Sequence, residues 1–437
     1  MVDVLAATRK ADNAPRTLIG ISIAHWVSHF HMLVLPMLFP FLKVQLGVDY
    51  IQLGFAVTVF AVVSGLTQAP IGYLVDHIGA RTILLIGVVL GGLSLVTLGL
   101  YLSYASLIGC AVLLGLANSV YHPADYAILA EHTDEARMGR AFSVHTFAGY
   151  LGGAMTPAII GALVATIGGV GALIVSGAVG VLVALVLIAV RIPDAGAHPR
   201  KTDGKSAPKG NIITPALLML TLFFLLLGLS TNGINNFGVV ALMSGYAASA
   251  SLANMALTAF LTASAVGVLA GGFLADRTRR HGQVAAVCFA VNAGIVLLIA
   301  TIALPAWLLT VAMTAAGFLS GVIAPSRDML VRNSAPAGAA GRAFGIVSTG
   351  FNISGIINPL LFGWIMDQNA PRWVFGASAV FMVATVLLTF FTERQPQAGA
   401  RGAENARGKT RRLTASRGFG SSEQRYESGQ GCHNECQ

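Results

Sequence analysis

The sequence predicts an all-α membrane protein whose twelve transmembrane helices form two pseudo-symmetric six-helix bundles. Three observations carry that prediction. Hydrophobic residues make up 55% of the 437 and charged residues only 10%, whereas a soluble domain carries roughly 25% charged residues to cover its surface. Apolar runs of about 20 residues, long enough to span a bilayer core, recur along the whole chain. Segments of the first half also reappear in the second.

The expected spans lie near 17–41, 52–75, 82–101, 105–128, 141–165 and 171–190, then near 213–238, 251–275, 284–304, 307–329, 343–366 and 373–392. Around them stand a cytoplasmic N-terminal tail (1–16), a linker (191–212) and a polar tail (393–437). The linker is broken by Pro193, Pro199 and Pro208, which marks it as loop. The tail is rich in Gly, Arg, Ser and Glu, a composition that cannot bury a core. The N-terminal bundle is thus 17–190 and the C-terminal bundle 213–392. The first span is too long for the apolar region of a secretory signal and reads as an uncleaved signal anchor.

Orientation follows from charge. With both termini cytoplasmic, every Lys and Arg except Lys43, Arg327 and Arg372 falls in an inside segment. Arg81, Arg137, Arg140, Arg277, Arg279, Arg280, Arg332 and Arg342 occupy the short inside loops, where positive charge is informative about topology. A miscounted span would scramble this alternation.

The duplication is visible in particular residues. Gly72-Tyr-Leu-Val-Asp76 recurs as Gly272-Phe-Leu-Ala-Asp276, and Gly139-Arg-Ala-Phe142 as Gly341-Arg-Ala-Phe344. At the second register Gly115 meets Gly317, Pro123 meets Pro325, Pro157 meets Pro359 and Gly161 meets Gly363. An internal repeat of six spans is the simplest account, and repeated halves around a midplane site are the architecture of many secondary transporters.

The loop motif carries a family resemblance. Gly72, Asp76, Gly79 and Arg81, with His77 where a base is usual, and Gly272, Asp276, Arg277, Arg279 and Arg280 in the second half, resemble the conserved loop of the major facilitator superfamily. The resemblance covers about 17–392 and implies the major facilitator fold and solute transport by alternating access. Within the superfamily, Ala24-His25-Trp-Val-Ser-His29, Gln68-Ala-Pro70-Ile-Gly72-Tyr and Ser119-Val-Tyr-His122-Pro123 are similar to the fosmidomycin-resistance group of exporters. The chain departs from that group at Ser28-His29, where Asn-Asp is usual. It also carries only part of the drug-antiporter motif, keeping Gly152, Pro157 and Gly161.

Several residues could carry chemistry. Ionisable groups within a membrane are costly and mark a pathway or a buried pair. His25 and His29 share one face of the first span, His122 and Asp125 share a face of the fourth, and His145 begins the fifth. Histidine exchanges protons between pH 5 and 8 when unperturbed. These five are candidates for a substrate or proton pathway, against the blander reading that each bonds a nearby backbone carbonyl or hydroxyl. Arg327 is the repeat counterpart of Asp125. The two could face each other across a vestibule, or pair locally, Asp125 with Arg81 and Arg327 with Asp328. Asn232, Asn235 and Asn236 share a face of the seventh span and could hold a solute or form an outer gate. Asp76 could accept hydrogen bonds from a helix N-terminus, and with Arg81 form a cytoplasmic gating latch that breaks as the inner side opens.

Other functions are disfavoured. No Gly-x-x-x-x-Gly-Lys-Ser/Thr run provides for ATP drive. Cys110 and Cys288 sit in apolar runs. Cys432, His433 and Cys436 make a poor zinc set, so no metal or cofactor is expected. The net charge of +9 suits anionic lipid better than nucleic acid. The expected partners are a small-molecule substrate, protons and the lipid bilayer, with no obligate protein partner. The leading expectation is proton-coupled export of a small organic solute through a bacterial inner membrane. The alternatives are uptake of an organic anion or metabolite by symport or uniport, and a transporter-like sensor without flux. No nucleophile–base constellation suggests an enzyme.

Overall fold

The computed structural model describes residues 2–195, 214–278, 280–334 and 340–394. Their side chains are described apart from 2–14, 135, 136, 139, 276, 333, 340–342, 344 and 390–394. Most of the expected linker, the tail with Cys432, His433 and Cys436, and the side chain of Asp276 lie outside the described residues.

Regular structure among the described residues is all helix. The first half holds α1 (Val2–Met37), α2 (Phe39–Leu46), α3 (Tyr50–Ile78), α4 (Ala80–Leu100), α5 (Tyr104–His132) and α6 (Glu135–Val190). The second holds α7 (Pro215–Tyr246), α8 (Ala250–Arg277), α9 (His281–Thr301), α10 (Ala306–Ser334), α11 (Ala340–Asp367) and α12 (Trp373–Arg394). Ten of these helices are long and apolar enough to cross a membrane. The 56-residue α6 carries two spans and α12 supplies the last, which gives the expected twelve.

Two boundaries differ from the sequence reading, and a third agrees with it. The polar residues before the first span continue its helix back to Val2. That span ends at Met37, because Pro40 favours the first turn of a new helix, α2. The fifth and sixth spans are two helices, as expected, separated only by the non-helical Gly168 (φ 75°), a backbone state that a side chain would oppose. Polar caps start several spans. Ser103, Thr214 and Ser249 accept hydrogen bonds from the backbone N–H groups of Ser106, Leu217 and Leu252, satisfying donors that a helix start leaves free.

Within the first half, α1 packs on α5 and α6, and α4 packs on the same two. In the second half α8 packs on α10 and α7 on α11. The α8–α10 contact brings backbone against backbone: a Cβ on Gly321 would collide with the carbonyl of Ser264, and one on Gly317 with that of Phe260. Such approach is how membrane helices gain van der Waals contact where lipid offers no hydrophobic drive. Gly321→Val is expected to destabilise the protein by about 2 kcal/mol or more, read as a lower melting temperature in detergent.

The halves meet along two seams, α3 with α11 and α6 with α8. Arg81, Arg137, Arg140, Arg277, Arg280 and Arg332, at helix ends and the turns beside them, define a basic face. Towards the opposite face the seams are tight. Thr58 donates to the carbonyl of Ile356 at 3.0 Å, Gly54 lies on the carbonyl of Pro359, and Phe39 meets Phe237 with ring centroids 5.2 Å apart. Towards the basic face a cleft of about 430 Å³ separates α6 from α8, with Phe147 and Phe273 in its walls.

Candidate functional site

The expected pathway histidines converge inside the first half. Asp125 on α5 is 0% exposed. His25 of α1 places Nδ1 3.5 Å from its Oδ2, and His145 of α6 places Nε2 3.6 Å from the same oxygen. The rings of His25 and His145 stack at 4.0 Å between centroids. His29 and His122 stand edge-on to His25 at 4.8 and 5.3 Å. Gly149 makes the space, since a Cβ there would come within 2.7 Å of the His25 ring. One turn on, Gly152 lets α6 rest on the Trp26 carbonyl of α1.

The cluster is underbonded. Neither carboxylate oxygen of Asp125, nor His25 Nδ1, His122 Nδ1 or either nitrogen of His145, has a hydrogen-bond partner among the described residues. Buried polar groups of native proteins are usually satisfied, so exceptions of this density point to function. The donor atoms of His25, Asp125 and His145 lie within 4.8 Å of one another, and among the described residues no fourth donor joins them at that spacing to complete a tetrahedral metal set.

Between the halves lies a central cavity of about 340 Å³. His29 lines it and so connects the cluster to it; Tyr150 adds a phenol from α6. The second half contributes Asn232, Asn235, Asn236 and Arg327. Asn232 reaches Ser354 at 3.4 Å, while Asn235 Oδ1 is buried without a hydrogen-bond partner among the described residues. All three asparagines line this cavity. Arg327 donates to Asp328 at 2.8 Å and lies over the rings of Phe224 and Phe351. Asp125 therefore faces neither Arg327 nor Arg81, and its partners are imidazoles. That convergence could not be read from the sequence, because helical spacing relates residues of one helix only. His31, not singled out above, is buried and bonds through Nε2 to the carbonyl of Ser176 at 3.0 Å, which is a packing role.

The loop motif is built differently from its expected capping. Asp76 is exposed and accepts no hydrogen bond from the described residues. Asp194, at the start of the linker, takes the α4 N-terminus instead, accepting from Arg81 N at 3.0 Å. Gly79 (φ 106°) leaves room for it, as a Cβ there would meet the Asp194 carboxylate at 2.5 Å. Arg81 buries Nε without a hydrogen-bond partner among the described residues. Gly72 lies against Pro123, and Gly272 faces open space. Arg277 is exposed. Among the described residues no pair of these loop side chains bridges the halves.

On the opposite face the halves are held together. Asp367, ending α11, accepts from the backbone N–H of Tyr50 at 2.9 Å and of Ile51 at 2.8 Å, so a carboxylate of one half caps a helix of the other. Lys43 of α2 lies 3.7 Å from both Asp367 and Asp49, and over the Tyr50 ring. Neither Lys43 nor Asp367 figured in any motif, and Lys43 stood out only as a cation on the wrong side of the charge pattern.

A solute-sized cavity between two repeated bundles, shut at one face and parted at the other, defines an integral membrane transporter. The family model described as Major Facilitator Superfamily matches residues 21–243 and 218–422, and the chain belongs to that family. It is similar to the fosmidomycin resistance protein of Escherichia coli (strain K12), at 28% identity over 63% of this chain and 68% of that protein. It is also similar to the probable sulfoacetate transporter SauU of Cupriavidus necator, at 26% identity over 77% and 85% of the two chains. Among solved structures, a bacterial homologue of the human lysosomal transporter Spinster, in an inward-facing and unoccupied conformation, superposes with a TM-score of 0.72. That pair shares 16% identity, with 87% of this chain and 97% of the other covered, so the likeness speaks for the fold.

Proposed function

We propose that this transporter exports a small organic solute in exchange for protons, with the cluster of His25, Asp125 and His145 as the proton site. One observation carries the reading: a fully buried carboxylate with two imidazoles within 3.6 Å and no hydrogen bond. An isolated buried charge costs several kcal/mol, so the cluster is stable when carboxylate and imidazoles share a proton. Facing Asp125 are His25 from α1 and His145 from α6, with Tyr121 and Tyr126 on α5 itself, while His29 and His122 stand against the His25 ring. His29 links that site to the solute cavity, so solute binding and proton release can bias each other.

Alternation supplies the rest. The basic face, which we assign to the cytoplasm of a bacterial inner membrane together with both termini, is the open one. Solute enters the cavity there and meets His29, Tyr150 and the asparagines of α7. The face held by Asp367 and Lys43 must then open while Asp76, Arg81 and their second-half counterparts close the basic face. The likeness to a resistance protein supports outward transport. A second reading, uptake of an organic anion, draws on Arg327 in the cavity wall and on the relative named for sulfoacetate.

Flux in proteoliposomes tests this. With an imposed pH gradient and a panel of small organic solutes that includes fosmidomycin and sulfoacetate, at least one solute should accumulate until a protonophore is added. Flux indifferent to the gradient would indicate a uniporter, and no flux of any solute would favour a sensor.

A further inference from the structure

The two halves differ at one lipid-facing helix pair. In the first half α4 and the second span of α6 are in backbone contact: a Cβ on Gly92 would lie 2.6 Å from the carbonyl oxygen of Gly177. At the repeat register these positions become Gly294 on α9 and Ala379 on α12. A Cβ on Gly294 would meet nothing within 4 Å. Instead of a contact, a groove of about 880 Å³ runs between α9 and α12.

Its walls are apolar. Ala290, Gly294 and Leu297 line one side, and Gly376, Val380 and Val383 the other. Val380 is 58% exposed, towards the hydrocarbon that surrounds a membrane span. At the end nearer the opposite face stand Arg372 and Trp373. Arg372 donates Nε to the carbonyl of Gly245 at 3.1 Å and lies over the Tyr246 ring. No carboxylate comes within salt-bridge distance of it among the described residues, so its charge is uncompensated. Lys43, the other cation on this face, is balanced by Asp49 and Asp367. Trp373 is half-exposed beside Arg372, as interfacial tryptophans are.

We propose that the α9–α12 groove is a binding site for an anionic phospholipid, with an acyl chain along the groove and the phosphate on Arg372. A groove within a bilayer is filled by whatever the bilayer offers, and an apolar wall matches an acyl chain. A guanidinium with free N–H groups at the groove's polar end matches a phosphate. Glycerophospholipid supplies both on one molecule. The site is separate from the central cavity and does not depend on the proton reading.

The test is native mass spectrometry of the purified full chain, titrated with phosphatidylglycerol and with phosphatidylcholine in detergent. The wild type should bind one phosphatidylglycerol about fivefold or more tightly than phosphatidylcholine, in line with about 1 kcal/mol for one basic side chain near a membrane surface. Arg372→Gln should remove the preference between headgroups. Gly294→Leu should remove binding of both lipids, because its side chain grows into open space along the groove. Val380→Trp, which fills the groove from the other wall at an exposed position, should do the same if Gly294→Leu fails to fold. Equal binding of the two lipids by the wild type would overturn the proposal. So would binding that survives a groove-filling variant, or a wild-type dimer that such a variant converts to monomer.

Discussion

Replacing Asp125 with Asn is expected to lower pH-gradient-driven flux by at least about tenfold, equivalent to ~1.4 kcal/mol or more in the driven step. Asn keeps the size of the side chain and its place between His25 and His145, so the packing of α1, α5 and α6 is preserved. What it loses is the ability to take up and release a proton. Solute counterflow, which needs alternation and no net proton movement, should persist in the same preparation. Asp125→Glu should restore part of the driven flux, because a carboxylate returns at the cost of one extra methylene in a close-packed site. A variant that loses counterflow together with driven flux would make Asp125 a structural residue.

Removing the Asp367 carboxylate is the second large perturbation. In Asp367→Ala the N–H groups of Tyr50 and Ile51 lose their acceptor and Lys43 loses one of its two carboxylates. Hydrogen bonds to charged groups contribute about 1.5–3 kcal/mol each, although solvent can replace some of this at the rim. The closed state of this face should therefore lose population by roughly 10-fold or more relative to the open one. The readout is the alkylation rate of a cysteine placed at Asn236, whose side chain lines the cavity, probed from the side opposite the basic face. Lys43→Ala should move the rate much less, since partly exposed ion pairs contribute about 0–1 kcal/mol. Unchanged alkylation in Asp367→Ala would mean that the tight α3–α11 seam alone keeps this face shut.

Different parts of this molecule were legible in the sequence to different degrees, for physical reasons. Span number and duplication depend on composition and on residues at fixed register, such as Gly115 with Gly317 and Pro157 with Pro359, and both are one-dimensional signals. The Gly168 bend was only half visible. A glycine pair interrupts the apolar run and separates the two spans, but nothing local says that a single non-helical residue makes the whole connection. The histidines could be named one by one because ionisable groups are rare in spans. That His25, Asp125 and His145 meet is a property of three packed helices, with α6 brought onto α1 at Gly149 and Gly152, and no spacing rule reaches across helices. Asp194 was hidden for a similar reason: it is an ordinary linker residue until the chain folds back onto the α4 N-terminus. Asp367 and Tyr50 are separated by almost the whole molecule in sequence, so their bond belongs to the tertiary fold alone.

The central claim is that solute movement through this cavity is exchanged for protons held at the Asp125 cluster. It is tested most directly by recording internal pH with an entrapped dye while a transported solute is added to proteoliposomes at equal pH on both sides. The account predicts a solute-evoked proton flux opposite in direction to the solute, present in the wild type and absent in Asp125→Asn, which still catalyses counterflow. Solute uptake by the wild type with no pH change, or an undiminished pH change in Asp125→Asn, would contradict it.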